Sequence, residues 1–317
     1  MTRKPQIAIS CGDPNGVGPE IALKLLANKN LRSEYDLKLI IPETAVEYWY
    51  AAKGKGMPSY TELILIPGHG IKIMPGKIDK IAGRISGDAV QIGAELCMQG
   101  MFDALVTMPV SKYSLSLAGF KYTGHTELLK ALTKSREAVM MMYSDKLAVV
   151  PLTIHIPVGS VPAALTKKLI ETKLEQTDKI LKSKFRIRKP RIAVLSLNPH
   201  CGDGGLIGSE EIKTIIPALD SLMKKGIGVS GPYSADGFFG SGLYRYYDAV
   251  AGAYHDQVLI PFKMIAGKKG VNYTAGIPFI RTSPSHGTAF NIAGKGIADT
   301  GSSVAAVRLA GKLINGK

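Results

Sequence analysis

Cysteine is scarce in this chain of 317 residues: Cys11, Cys97 and Cys201 are an odd set with no C-x-x-C spacing. That excludes a disulfide framework and fits a reducing compartment. Long apolar runs are missing too. No stretch approaches the roughly 18–20 residues that span a bilayer. The start, Met1 to Gln6, leads directly into an apolar strand pattern with no signal-peptide core or cleavage site. These absences predict a cytoplasmic protein with no membrane partner. Acidic residues are outnumbered, 25 Asp and Glu against 40 Lys and Arg, for a net charge of +15. The basic run from Lys182 to Lys189 has no zinc-finger spacing, RNP aromatic motif or recognition-helix pattern beside it. No nucleic-acid partner is expected, and the charge suits attraction of an anionic small molecule. No low-complexity linker or internal repeat occurs, so a domain split must come from chain crossings.

What is present is regular alternation of short apolar runs with helix-period segments. Strands are expected at Ile7–Ser10, Leu37–Ile41, Leu63–Ile66, Ala104–Thr107, Ala138–Tyr143, Leu147–Pro151, Ile192–Leu197, Ala249–Ala253 and Val271–Thr274. Helices are expected at Pro19–Ala27, Ser86–Met101, Thr126–Leu132, Thr166–Leu181, Ser209–Lys225 and Ser302–Leu313. This order predicts an α/β fold with a mostly parallel sheet and helices on its faces. The strands either side of Ser144-Asp145 read as a hairpin, which adds some antiparallel pairing. In such sheets, ligands bind beyond the carboxyl ends of the strands.

Three histidines fall at those positions: His155 in T-I-H-I-P, His200 in L-N-P-H-C-G-D-G-G and His255 in A-Y-H-D-Q. Neutral imidazole is the commonest protein ligand for divalent metals, and three such ligands with open positions mark a catalytic site. Asp203 and Asp256 are placed to orient a ring. The loop G-D-P-N-G-V-G-P-E, Gly12 to Glu20, opens the first helix, where free N–H groups favour an anion. T-G-H-T-E, Thr123 to Glu127, offers His125 and Thr126 for anion contact or proton transfer. Lys263, Asn272 and Arg281 follow His255 closely and read together as an anion pocket. His286-Gly287-Thr288 reads as a loop around an adenine or ribose.

These motifs together resemble the 4-hydroxythreonine-4-phosphate dehydrogenase family, with Y-D-A-V-A-G-A-Y-H-D-Q and V-N-Y-T-A-G-I-P-F-I-R-T-S-P-S-H-G-T-A among the matching signatures. More distantly, G-V-G-P-E and H-G-T-A-F-N-I-A-G-K-G-I-A-D are similar to loops of isocitrate and isopropylmalate dehydrogenases. The resemblance implies a two-domain α/β/α sandwich of that non-Rossmann kind, and a homodimer with shared active sites. The expected division is 1–120 with 285–317, and 121–284 carrying the metal ligands and the dimer interface. The resemblance makes His155, His200 and His255 ligands of a divalent ion shared across the dimer. It makes His125, Thr126, Lys263, Asn272 and Arg281 substrate-binding. It sets Asp236, His286, Gly287, Thr288, Asn291 and Asp299 towards NAD or NADP.

The implied reaction is hydride transfer from a secondary alcohol of a phosphorylated hydroxy acid, with Lys263, Asp256 and His125 as candidate proton-handling residues. Zinc, cobalt, nickel, magnesium and manganese all remain open as the metal. The substrate implied is 4-hydroxythreonine 4-phosphate, in pyridoxal phosphate synthesis; 4-phosphothreonate or 4-phosphoerythronate are the alternatives. A metal-dependent hydrolase or lyase built on the same histidines is the rival reading. The chain departs from the family after His155, in I-P-V-G-S-V-P, and after His255, in Q-V-L-I-P. Both departures flank the ligands without removing them.

Overall fold

The computed structural model describes residues 3–51, 60–122, 124–135 and 138–316. Met1, Thr2 and the Thr123 of T-G-H-T-E lie outside them. Two compact units divide the chain: Met1–Ala138 with Val271–Asn315, and Val139–Gly270 with Gly316–Lys317.

In the first unit, β1 (Gln6–Ser10), β2 (Asp36–Pro42), β3 (Leu63–Ile66) and β4 (Ala104–Thr107) alternate with helices. These are α1 (Gly18–Leu26), α2 (Lys29–Glu34), α3 (Glu43–Ala51), α4 (Lys80–Met98), α5 (Lys112–Leu117) and α6 (His125–Leu132). The second unit begins with β5 (Val139–Ser144) and β6 (Leu147–Pro151), an antiparallel hairpin in which Ser144 pairs with Leu147. It continues through α7 (Val161–Ala164), α8 (Lys167–Ser183), β7 (Ile192–Leu195), α9 (Ile216–Lys224), β8 (Val229–Tyr233), α10 (Ala235–Gly240), β9 (Ala249–Gly252) and α11 (His255–Ala266). The chain then returns to the first unit with β10 (Val271–Ala275), β11 (Ile280–Pro284) and α12 (Gly301–Asn315).

The strand order of the first unit is β3-β2-β1-β4-β11-β10, parallel except for the antiparallel β10–β11 pair. That of the second is β5-β6-β9-β7-β8, parallel from β6 onward. Strands covered on both faces read as continuous apolar runs, and these do. Ile7, Ile9, Leu39, Ile41 and Leu105 are wholly buried in the first unit. Met142, Val149, Leu195, Val250, Val258 and Phe262 form the core of the second.

Several elements differ from the sequence expectation, each for a local reason. Strand β8 was not expected because Gly231 and Pro232 interrupt it; it lies at the sheet edge, where proline is tolerated. Strand β11 reads I-R-T-S-P, too polar for an apolar run, yet all five residues are buried. Helix α11 runs through Pro261, which the sequence reads as a breaker. Helix α4 starts at Lys80, capped by the Asp79 side chain on the Ala82 N–H, rather than at Ser86. The segment expected as one helix over 209–225 opens with a π-turn at Glu211–Ile215. The unit boundaries also sit at 138/139 and 270/271 rather than at 120/121 and 284/285. Helix α6 packs on α4, and β10 pairs with β11, so both elements go with the first unit. Among the described residues, no helix is long and apolar enough to cross a membrane.

Candidate active site

Parallel order explains how distant histidines approach one another. Strands β6, β9 and β7 are neighbours in the second unit. His155 follows β6, His255 follows β9 and His200 follows β7, all at carboxyl ends. The His155 and His255 rings lie 6.1 Å apart between centroids. His255 Nδ1 is 2.8 Å from Asp256 Oδ1, which leaves Nε2 for a ligand and matches the carboxylate–imidazole arrangement common beside metals. The expected Asp203 contact to a ring is not made among the described residues. His155 and His200 both adopt positive φ, 52° and 50°, a left-handed conformation uncommon in non-glycine residues.

Two imidazoles at this spacing suit two positions in the shell of a divalent ion. His200 does not join them: among the described residues no three His, Cys, Asp or Glu side chains form a ready metal-binding group. The reason is local. Residues 200–204 turn through successive left-handed conformations, leaving the His200 side chain exposed on its own loop. Asp236, on α10, belongs to this region. Its carboxyl is held below the usual range, first by the Ser234 hydroxyl, then by the Gly237 amide, with a lesser contribution from the His200 charge. Lys263 is exposed on the last turn of α11, on the face it shares with Asp256, Ile260 and Met264.

The first unit holds a different set. Arg281 on β11 is 1% exposed. Its Nε donates to Thr107 Oγ1 at 3.1 Å, its Nη2 to the same oxygen, and its Nη1 to Thr274 Oγ1 at 2.7 Å. Register produces this: Thr274 pairs with Arg281 across β10–β11, and Arg281 with Leu105 across β11–β4, two residues before Thr107. Burial works against the guanidinium charge, pushing its pKa down to about 9, while the Glu127 carboxylate opposes the shift. No carboxylate bonds to it among the described residues. Burying a guanidinium to which no carboxylate is bonded costs free energy that the Thr107 and Thr274 hydroxyls and the Glu127 charge offset only in part.

Two further polar atoms are shut off from solvent with no partner among the described residues: His125 Nε2 and Asn272 Oδ1. Asn272 shares a strand face with Thr274. His125 starts α6. Burial first, then the Arg281 charge, lowers its pKa well below the ordinary value, while a backbone bond to Met108 opposes. It is neutral at physiological pH. Thr126 and Glu127 follow in the first turn of the helix.

The loop from Gly12 to Glu20 turns inward rather than outward. Asn15 is tied to Met74 N at 2.8 Å and to Lys77 O at 3.1 Å, and Trp49 donates to Pro14 O at 3.2 Å. A side chain at Gly16 would press on Thr288, and one at Gly18 on the Cys11 carbonyl. Close approach here is chain on chain, and Glu20 fills the anion-favouring end of α1 in place of a ligand. Asp13 in this loop is wholly buried, with Oδ1 accepting from Asn15 N at 2.9 Å and Oδ2 unpartnered. Burial raises its carboxyl to about 6.

Five of the six residues expected towards NAD share one loop of this unit. Thr288 accepts from Val17 N at 3.0 Å. His286 Nδ1 contacts Gly287 O at 2.9 Å, and its Nε2 is buried without a partner. Asn291 is exposed, and Asp299 accepts from Gly301 N at 2.8 Å. An orphaned ring nitrogen beside exposed backbone suits a nucleotide. The sixth, Asp236, lies in the second unit. Sequence reasoning missed Thr107, Thr274 and Asp13; only the register of β4, β10 and β11 and the burial of the first loop identify them.

Compared with known proteins, the family model of the pyridoxal phosphate biosynthetic protein PdxA matches residues 22–310. A 4-hydroxythreonine-4-phosphate dehydrogenase of Bacteroides thetaiotaomicron is 40% identical over 311 residues, covering 93% of this chain and 85% of that protein. The crystal structure of a 4-hydroxythreonine-4-phosphate dehydrogenase from Klebsiella pneumoniae matches at 34% identity with a TM-score of 0.87, covering 99% of each chain. An isocitrate dehydrogenase of Methylococcus capsulatus, at 16% identity and a TM-score of 0.50, covers 98% of this chain and 84% of its own and shares the fold alone. The expected α/β fold of the isocitrate dehydrogenase kind is the fold observed.

Proposed function

We propose, from the premise that this chain belongs to the PdxA family, that it is a cytoplasmic homodimer that oxidises 4-hydroxythreonine 4-phosphate at C3 with NAD. The β-keto acid formed loses carbon dioxide to give 3-amino-2-oxopropyl phosphate. The observation that carries this reading is the set of histidines at the carboxyl ends of β6, β9 and β7, with the His155 and His255 rings 6.1 Å apart. Bound there, a divalent ion would supply Lewis acidity toward a substrate oxygen, and a nicotinamide dinucleotide would supply the hydride acceptor.

The chain's own residues do the rest. Arg281 offers its unused N–H donors to a phosphate or carboxylate oxygen, with Thr107 and Thr274 fixing the plane of the guanidinium. His125, neutral, and Asn272 bring a ring nitrogen and an amide oxygen that have no partner among the described residues, and Thr126 adds a hydroxyl. His155 and His255 would hold the ion, with Asp256 fixing the His255 tautomer, and His200 would complete the set when two copies associate. Lys263 or Asp256 takes the alcohol proton. The residues expected towards the dinucleotide in the first unit are His286, Gly287, Thr288, Asn291 and Asp299.

Association is supported by exposed apolar side chains on the segments that follow each histidine. Val158 is 69% exposed, Leu206 86% and Met264 80%. Large apolar groups so exposed mark interaction surfaces when they cluster. The test is NADH absorbance on mixing protein, cobalt or another divalent ion, and a panel of phosphorylated hydroxy acids. Oxidation of 4-hydroxythreonine 4-phosphate in preference to 4-phosphothreonate and 4-phosphoerythronate is expected. Absence of reduced nicotinamide with every substrate, or full turnover after chelation, overturns the reading.

A further inference from the structure

The loops that carry the three histidines are joined to one another by buried and half-buried side-chain bonds. Thr153 Oγ1 donates to Ala253 O at 2.7 Å, linking the segment before His155 to that before His255. Gln257 Oε1 accepts from Ala253 N at 2.7 Å, and its Nε2 donates to Ser196 O at 2.6 Å, reaching the exit of β7. Ser196 Oγ donates to Asn198 O at 2.8 Å. Glu211 Oε1 then accepts from both Leu197 N and Asn198 N at 2.8 Å, and Oε2 accepts from Asn198 Nδ2 at 2.9 Å. Glu211 is 1% exposed, a carboxylate spent on backbone of the loop that bears His200.

The glycines of that loop are fitted to this arrangement. A side chain at Gly202, where φ is 77°, would meet Glu211 Oε2 at 2.8 Å. One at Gly208 would meet the Asn198 amide at 2.3 Å. Irregular backbone cannot satisfy its own N–H groups, and buried ones left open cost about 1–3 kcal/mol each. The brace answers that need at the points where the histidines leave the sheet.

We propose that Gln257 and Glu211 are positioning residues, and that the brace from Thr153 to Glu211 sets the affinity of the histidine site for a divalent cation. This rests on the metal reading above. The bonds fix where each loop leaves its strand, so the loop exits are held before an ion arrives rather than gathered by it. Partners one shell out from a metal cost about 10–100-fold in affinity when removed.

The experiment measures Co2+ binding to the whole protein by calorimetry and by visible absorption, inorganic phosphate binding in parallel, and amide exchange over residues 196–206. Glu211→Ala and Gln257→Met are expected to weaken Co2+ by about 10–100-fold, to alter the cobalt spectrum and to speed exchange. Phosphate affinity stays unchanged. Glu211→Gln, whose amide oxygen still accepts the two backbone N–H groups, recovers most of the Co2+ affinity. Should Glu211→Ala fail to fold, Gln257→Glu, which keeps the Ala253 bond and loses the Ser196 bond, carries the same expectation. Wild-type Co2+ affinity in a folded Glu211→Ala or Gln257→Met variant overturns the proposal. So does an equal loss of phosphate binding, which would mean general damage. If His155→Ala binds Co2+ as the parent does, the metal reading has failed; the exchange data then report on the brace separately.

Discussion

The two polar centres are built on opposite plans. Around Arg281 the first unit buries a cation on a strand, and shuts from solvent one ring nitrogen of His125 at the start of α6 and the amide oxygen of Asn272 on β10, with no partner for either atom among the described residues. Around His155, His200 and His255 the second unit does the reverse: the rings stand on exposed loops, and the buried bonding holds the backbone beneath them. In the first centre Arg281 and Asn272 are themselves part of the packed sheet, and His125 opens a helix. In the second the sheet is a platform, and function lies in what the loops present. In a centre of the first kind the strand-borne groups, Arg281, Asn272, Thr107 and Thr274, are held by β-pairing. One of the second kind can be completed from outside the chain, as the proposed dimer requires.

The sharpest way to break this comparison is to remove one ring from the exposed centre. His200→Ala is expected to abolish divalent-ion-dependent turnover while melting temperature and inorganic phosphate binding stay as in the parent. Metal content by atomic emission and turnover rates check it. Full activity without metal would return His200 to the surface. Next is the buried centre. Arg281→Met should raise KM for the phosphorylated substrate by about 10–150-fold, the loss of a charged hydrogen bond worth about 1.5–3 kcal/mol, with little change for NAD. Its melting temperature should hold or rise, since an unpaired buried charge has been removed. A large loss of stability with an unchanged KM would make Arg281 a structural residue.

Smaller effects sharpen the same contrast, because Asp13 and His125, whose titration burial shifts, both lie in the first unit. Asp13 is raised to about 6 in the fold by burial. Its charge is therefore disfavoured: stability falls as pH rises from about 4 to about 6 and stays lower above that. Asp13→Asn should stabilise by on the order of 1–3 kcal/mol at pH 8 and by nothing near pH 4, read by denaturant melts at both values. His125 has the opposite slope. Its folded pKa lies below its unfolded one, so stability is complete above about 6.5 and declines as pH falls through that value. His125→Asn should flatten this decline; an unchanged slope would mean the ring is protonated in the fold.

Much of this was legible in the chain. Leu63–Ile66, Ala104–Thr107 and Leu147–Pro151 were read to the residue, since apolar runs bounded by turn signals carry their own boundaries. The histidines were found because each follows such a run. Strand β11 was missed for the reason it matters: a strand that carries Arg281 among Thr282 and Ser283 does not look like core. Helix α11 was missed because Pro261 reads as a stop, although it lies within the helix. Thr107 and Thr274 gave no signal, being ordinary strand residues until register brought their hydroxyls onto one guanidinium.

The amino-acid order determined which segments are strands and which helices, and which residue types stand at strand ends, because periodicity and turn chemistry are local. The tertiary structure alone decided that β6, β9 and β7 are neighbours and that Thr107, Thr274 and Arg281 meet. It also decided that Glu211 and Gln257 turn inward onto backbone. Strand order and register arise from burial summed over whole faces, and no window of sequence contains that sum.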